Sequence, residues 1–385
     1  MNGVRSFRNC VNLTPHCDKK LGGEAMAQNK MFNNLLVLVI AILFGWLLFV
    51  LHIMLPWMFG PILASIFVVK VLKRDVQWPL WLSELGLIML GVQIGTSFTR
   101  SVTSDIKDDW LAIVLVSVLI LLLALVVSIG FRKIAHVNRE TAILSVIPGA
   151  LSQMIVMAEE NKKADILVVS LTQTSRVIFV VLLVPLISFF FKTDHSNRVT
   201  EANVQYLTDV LTIQHIVIIA LGIAVVYILM KWIHFPTKML MAPIVVLVIW
   251  NFVTNLTFTL DAPIIAGAQI IYMIRVGIQI AHLTDQLKGR IAVAIAYQNV
   301  MLIFGALAMV YLVQFINHAS IDELFLGAAP GGMSQIVLVA LDIGADVAMI
   351  SSYHIFRIFF ILFLIAPLVS VYLKCLERNN KNDFN

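Results

Sequence analysis

Two short motifs carry the most pointed chemistry in this sequence. Residues 148–153 read Pro-Gly-Ala-Leu-Ser-Gln and residues 330–335 read Pro-Gly-Gly-Met-Ser-Gln. Pro148 and Pro330 cannot donate a backbone hydrogen bond, and Gly149, Gly331 and Gly332 carry no side chain, so each motif starts or unwinds a helix. Ser152, Gln153, Ser334 and Gln335 follow within a turn as small or amide hydrogen-bonding groups. A helix N-terminus there offers free N–H groups and partial positive charge, which suits an anion. The alternative is a tight helix crossing that needs glycine. Recurrence at matching positions favours the binding reading.

Charged residues follow each motif at a fixed distance. Ala164-Asp165 is matched by Ala345-Asp346, and Arg176 by Arg357, eleven residues after each aspartate. Eleven residues are close to three helical turns, so each Asp–Arg pair shares a face but is separated by roughly 16 Å. Asp165 and Asp346 fit helix N-caps, or pairing with the opposite half and ion coupling. Arg176 and Arg357 fit either a lock between halves or a substrate contact. Gln93 and Gln279 lie in Gly-Val-Gln-Ile and Gly-Ile-Gln-Ile. Arg275 sits in an apolar run where the first half has Met89, and either snorkels to the surface or meets substrate. His354 takes the position of Gln173, as a proton relay or as a neutral hydrogen-bonded ring.

The elements that must position these groups are set by composition. Of 385 residues 60% are hydrophobic and only 13% charged, with mean hydropathy +0.94. A soluble domain carries about twice that charge. The fold class is therefore an all-α polytopic membrane protein, its principal surroundings the lipid bilayer. This excludes a secreted enzyme, a cytosolic dehydrogenase and a free DNA-binding regulator. The net charge of +5 reflects cytoplasmic loops rather than nucleic-acid binding. Cys10, Cys17 and Cys375 form no CxxC and define neither a disulfide framework nor a zinc site. Residues 1–30 read as a polar, disordered extension without a signal peptide, with Met26 and Met31 as alternative starts.

The motifs belong to a duplication. Gly60-Pro61-Ile also returns as Ala242-Pro243-Ile, and the matches keep one order at offsets of 181 to 186 residues. The repeats are read as 31–192 and 210–374, joined by a polar linker at 193–209 and followed by a polar tail at 375–385. Each contains six apolar segments, the fifth short, beginning at Pro-Gly and ending in acidic or polar residues. If all twelve crossed, Lys231, Lys238, Lys288 and Arg290 would fall outside, against the positive-inside rule. If each fifth segment re-enters, those cations move inside with Lys70, Lys73, Arg74, Arg132, Lys133 and Arg139. Five spans per half is odd, so the halves are inverted, each with a re-entrant or broken helix. Both termini are then cytoplasmic. Inverted repeats with broken elements near the midplane characterise secondary transporters.

No P-loop, GxSxG, Rossmann fingerprint or metal-ligand spacing of histidines occurs, so the chain reads as no enzyme, with no cofactor and no metal.

The doubled Pro-Gly-x-x-Ser-Gln, the Ala-Asp pairs, the downstream arginines and the Gly-x-Gln-Ile elements resemble the bacterial AbrB membrane-protein family, over about residues 35–372. That family carries an AbrB duplication and is distinct from a soluble transition-state regulator of the same name. The resemblance implies an inner-membrane protein related to inverted-repeat transporters. Members have been labelled ammonia monooxygenases or regulators of gene expression. A monooxygenase needs copper or iron ligands, and none stand out here. The resulting expectation is alternating-access transport of a small metabolite, an organic anion or else a neutral or zwitterionic one, with the helix N-termini and the arginines favouring the anion. It would be coupled to H+ or Na+, with any effect on gene expression indirect. A ligand-binding membrane sensor is the second reading. Homo-oligomerisation, substrate, direction and coupling ion stay open.

Overall fold

The computed structural model describes residues 23–148, 151–161, 163–190, 212–233, 235–254, 258–314 and 320–372, with backbone only for 23–29, 101, 103, 105, 108, 151 and 152. The regular elements are helices. In the first half they are α1 (Gly23–Val50), α2 (Pro56–Ile66, continued by a π-helical turn Phe67–Val71), α3 (Leu80–Thr96), α4 (Arg100–Asp108), α5 (Trp110–Ala135), α6 (Arg139–Val146), α7 (Leu151–Glu160) and α8 (Ile166–Phe190). In the second half they are α9 (Ile213–Trp232), α10 (Lys238–Thr254), α11 (Ala262–Gln286), α12 (Gly289–Gln314), α13 (Ile321–Ala328), α14 (Met333–Ile343) and α15 (Val347–Phe360, continued through the π-helical turn Ile361–Ile365). Helix α1 begins inside the stretch expected to be an extension. The linker 193–209, the tail 375–385 and residues 1–22 lie outside the described residues.

Among the described residues seven helices are long and apolar enough to cross a bilayer: Lys30–Val50, α5, α8, α9, α11, α12 and Val347–Tyr372. Three shorter apolar helices, Pro56–Val71, α3 and α10, complete five spans per half. They pack by small residues, as helices in lipid do. The protein is thus an all-α, multi-pass membrane protein.

The orientation of the halves can be read from helix contacts. Helices α5 and α12 are the equivalent fourth spans and pack on each other. Gly130 lies against Tyr297 and Gly305 against Leu123, so residue numbers rise along one helix as they fall along the other. Equivalent helices in antiparallel contact are related by a twofold axis lying across their length. Helices α3 and α10 give the same answer. Gly91 meets Leu240 and Pro243, and Gly95 meets Ile244 and Leu247. Asn251 near the end of α10 donates to the carbonyls of Gly95, Thr96 and Phe98 at the end of α3. A third span and a second span therefore run parallel, which a same-way duplication forbids. The halves are inverted.

Each fifth segment is a hairpin of two half-helices. Pro148 and Pro330 sit at the turns and not at the start of the segment as expected, since a half-helix precedes each; a helix cannot continue there because the ring removes a donor and clashes with the preceding turn. In the first half, Asn138 before α6 donates to the carbonyl of Lys163 after α7 (3.3 Å), and the amide of Asp165 donates to Thr141 Oγ1 (2.9 Å). Entry and exit are adjacent, so the segment goes in and returns. In the second half α13 lies beside α15 and runs the same way. His354 meets the carbonyl of Leu326, and Arg357 those of Ala328 and Ala329. Since α15 starts where α14 ends, entry and exit again share one face. An eight-residue arm is about 12 Å long, so each turn lies near the middle of a hydrocarbon layer about 30 Å thick.

This arrangement predicts a labelling pattern. Single cysteines at Asn138 and Glu160 should react from one side of the membrane, and those at Ser320 and Asp342 from the other. If either pair splits between sides, that segment crosses and the inverted ten-span fold is wrong.

Candidate functional site at the hairpin turns

The two hairpin turns are built alike. A half-helix that ends at mid-depth leaves carbonyls without intrahelical donors, and no water replaces them in the hydrocarbon region. Arg176 and Arg357 supply the donors. Arg176 gives Nη2 to the carbonyls of Val146 (3.0 Å) and Ser145 (3.3 Å), and Nη1 to Gln173 Oε1 (3.1 Å). Arg357 gives Nη1 to Ala329 (3.1 Å) and Ala328 (3.3 Å), and Nη2 to His354 Nδ1. Both side chains are 5% exposed. Each arginine caps the negative end of a half-helix dipole within its own half. A lock between halves is therefore not what these side chains form.

Gln173 and His354 complete the caps in the same way. Gln173 Nε2 donates to Leu144 (2.8 Å) and Ile147 (3.1 Å) while its Oε1 accepts from Arg176. His354 accepts from Arg357 at Nδ1, so Nε2 carries the proton and donates to Leu326 (2.9 Å). The ring is the neutral tautomer, in the role of an amide.

The second hairpin reaches across to the other half. Gly331 lies against Val180 of α8, one turn beyond Arg176. Arg176 and Arg357 are within electrostatic range of one another. The start of α14 is closed by a scaffold residue: Tyr272 of α11 exchanges hydrogen bonds with Ser334 Oγ (2.8 Å) and Gln335 Nε2 (3.0 Å). Ser334 Oγ donates in turn to Gln335 Oε1 (3.2 Å). Replacing Tyr272 with phenylalanine removes one hydroxyl from this start. Ligand affinity should fall about 3- to 10-fold, the value of one net hydrogen bond, and the melting temperature should fall as well, because buried Gln335 Nε2 loses this partner at a cost of about 1–3 kcal/mol. Isothermal titration and a thermal melt separate the two effects.

One face of α11 extends this cluster. Tyr272, Arg275 and Gln279 recur at helical spacing, so they form one stripe. Arg275 is half-buried midway along the helix and within electrostatic range of Tyr272. Among the described residues it has no hydrogen-bonded or ion-paired partner. Gln279 lines a small cavity of about 10 Å³ between α8 and α11 with Thr174, Val177 and Val276. The stripe thus runs from the second hairpin to the helix that carries Arg176.

Other expected residues are placed differently. Asp165 Oδ1 accepts from the amides of Leu167 and Val168, and Asp346 Oδ1 from that of Met349. They are N-caps at the membrane-surface ends of α8 and α15. Gln93 is buried in the scaffold and accepts from the amide of Leu260 (3.0 Å). Packing also corrects the register of the repeat here. Gly95 meets Ile244 and Leu247 while Gly277 meets Ile62 and Ser65, so Gly277 is the equivalent of Gly95 and not of Gly91. Arg275 then matches Gln93, not Met89. Pro148 and Pro330 are buried at the turns, Gln153 is half-buried, and Gly331 and Gly332 are half-buried. Gly149 and the side chain of Ser152 lie outside the described residues.

Tyr272 carried no signal in the sequence, since a tyrosine in an apolar helix is ordinary. Glu140 and Asp322 were also missed, although they recur at the repeat offset. Both are buried, in the first turns of α6 and α13, where a helix N-terminus favours negative charge. Among the described residues no three His, Cys, Asp or Glu side chains converge as a metal-binding group.

Fold and site together define an inverted-repeat membrane protein whose paired re-entrant hairpins turn at mid-depth. The family model described as "Transition state regulatory protein AbrB" matches residues 57–373. The chain belongs to the AbrB family. It is 23% identical over 361 residues to the protein named "Uncharacterized protein YhjN" of Bacillus subtilis (strain 168), covering 88% of this chain and 92% of that one. It is also 23% identical over 348 residues to "Putative regulator AbrB" of Escherichia coli (strain K12), covering 89% and 97%.

Proposed function

We propose that this protein is a secondary transporter of a small organic anion in the bacterial inner membrane, with both termini cytoplasmic. The observation that carries the reading is a pair of inverted re-entrant hairpins broken at mid-depth, the second packed on α8 of the other half, with Arg275, partnerless among the described residues, on the helix that closes its start. Half-helix N-termini at mid-depth are the membrane form of an anion site. Arg275 supplies charge there, while Asp165 and Asp346 are roughly 16 Å from the nearest capping arginine.

Unequal packing of the hairpins supports alternating access. In the second hairpin Met333–Ala340 are all buried, and α14 packs on α8 of the other half. In the first hairpin Val156 of α7 is 45% exposed. Equivalent sequences in inequivalent surroundings are what an inverted-repeat carrier has in one end state, and exchanging the two environments gives the other. Coupling to H+ or Na+ would fall to Glu140 and Asp322 at the hairpin mouths. The reading makes the protein a carrier rather than an enzyme.

The test is flux. Proteoliposomes holding the purified protein should take up a panel of labelled mono- and dicarboxylates, with saturation for at least one. The second reading, a ligand-binding sensor, takes its support from the regulator name of the Escherichia coli relative. Saturable binding without uptake, under both a proton and a sodium gradient, would decide for it.

A further inference from the structure

The geometry points to a second binding site, for an anionic phospholipid, on the lipid-facing flank of the first hairpin. A cleft of about 820 Å³ opens between the end of α5, the start of α6 and Tyr372 at the end of the last span. That is the size of a pocket that holds a drug-sized ligand, enough for a headgroup and the first part of its acyl chains. Its walls sort by chemistry. Leu125, Ile129 and Tyr372 line it on the bilayer side, and Arg132, Lys133 and Arg139 on the surface side.

The cations are brought together by backbone geometry. His136, at the end of α5, adopts left-handed φ 54. The chain reverses there, so Arg139 at the start of α6 returns beside Arg132 and Lys133. All three are exposed, and among the described residues no carboxylate lines the cleft. Cations at the headgroup level above an aliphatic groove match a lipid that carries negative charge on an apolar body. The charge complementarity fits an acidic lipid rather than a zwitterionic one. Ala142 and Ile143 of α6 form the inner wall, so the lipid would rest against the hairpin itself. This site stands apart from the substrate site and does not depend on the transport reading.

Native mass spectrometry of the full chain tests it. The detergent-purified protein is titrated with phosphatidylglycerol and with phosphatidylcholine of the same acyl chains. The wild type should retain phosphatidylglycerol at about tenfold lower lipid concentration. Arg132→Ala with Arg139→Ala should weaken that retention on the order of 10- to 30-fold, the effect of two basic side chains near an acidic headgroup. Lys288→Ala with Arg290→Ala removes two exposed cations outside the cleft and should change retention by no more than about threefold. Ile129→Trp fills the groove without altering charge and should also expel the lipid. Equal retention of the two lipids, equal loss in both double variants, or full retention in Ile129→Trp overturns the proposal. So does displacement of the lipid by inorganic phosphate, which would mean a site for the phosphate group alone. A dimer that Arg132→Ala with Arg139→Ala converts to monomer, at unchanged lipid retention, would assign the cleft to a second copy and overturn it too.

Discussion

Arg357→Ala is expected to destroy the second hairpin rather than merely weaken a ligand. The substitution strips donors from the carbonyls of Ala328 and Ala329 and from His354. Each buried polar group left unpaired costs about 1–3 kcal/mol, and lipid offers no substitute. The sum over these three groups, roughly 3–9 kcal/mol, is a large part of a typical stability of about 5–15 kcal/mol. Arg176→Ala should behave alike, having at least as many bonds to lose. A fluorescence-detected melt should show a fall of many degrees, or no monodisperse protein. Conservative changes sharpen the test. His354→Gln should melt close to the wild type, because Gln173 already performs that role in the other half. His354→Ala should lose about 1–3 kcal/mol. A normal melt for Arg357→Ala together with lost ligand binding would mean the arginine serves substrate, and the capping account would fail.

Arg275→Ala should do the opposite: keep the fold and lose the ligand. The guanidinium is half-buried at mid-helix without a protein partner among the described residues, so its removal unpairs nothing. A charge-assisted hydrogen bond to an anion contributes about 1.5–3 kcal/mol, so affinity should drop roughly 10- to 150-fold. Arg275→Lys should recover part of it, as a point charge without the planar fork. The measurement is the half-saturation of uptake, or of ligand-induced thermal stabilisation, across the three proteins. Unchanged half-saturation in Arg275→Ala would remove the argument for an anionic substrate and return Arg275 to the role of a snorkelling cation.

Much of the architecture was legible because it rests on quantities that a sequence carries locally. The doubled Pro-Gly fixes where a helix must break, whatever surrounds it. The cations at Lys231, Lys238, Lys288 and Arg290 count crossings, since charge in loops is sorted by side. An odd count then inverts the halves. The Asp-to-Arg interval was also readable, as one helix face with its cap at the surface.

The site was less legible, for physical reasons that individual residues show. A slip of four residues along a helix turns the face by only about 40°, so Gly91 and Gly95 are nearly interchangeable as sequence partners of Gly277. Only close contact with Ile62, Ser65, Ile244 and Leu247 separates them. An intramembrane arginine announces that it needs partners but not which ones. The exposed carbonyls of a broken half-helix compete with any substrate, and they are always present. They claimed Arg176 and Arg357. Tyr272 reached Ser334 through a contact 62 residues away in sequence, beyond the range of any local pattern. By itself the sequence determined the breaks, their depth and the inversion, because backbone chemistry and charge sorting act locally. Tertiary structure alone decided that Arg176 and Arg357 are spent on the fold while Arg275 has no partner among the described residues, because that depends on what packs within hydrogen-bonding distance.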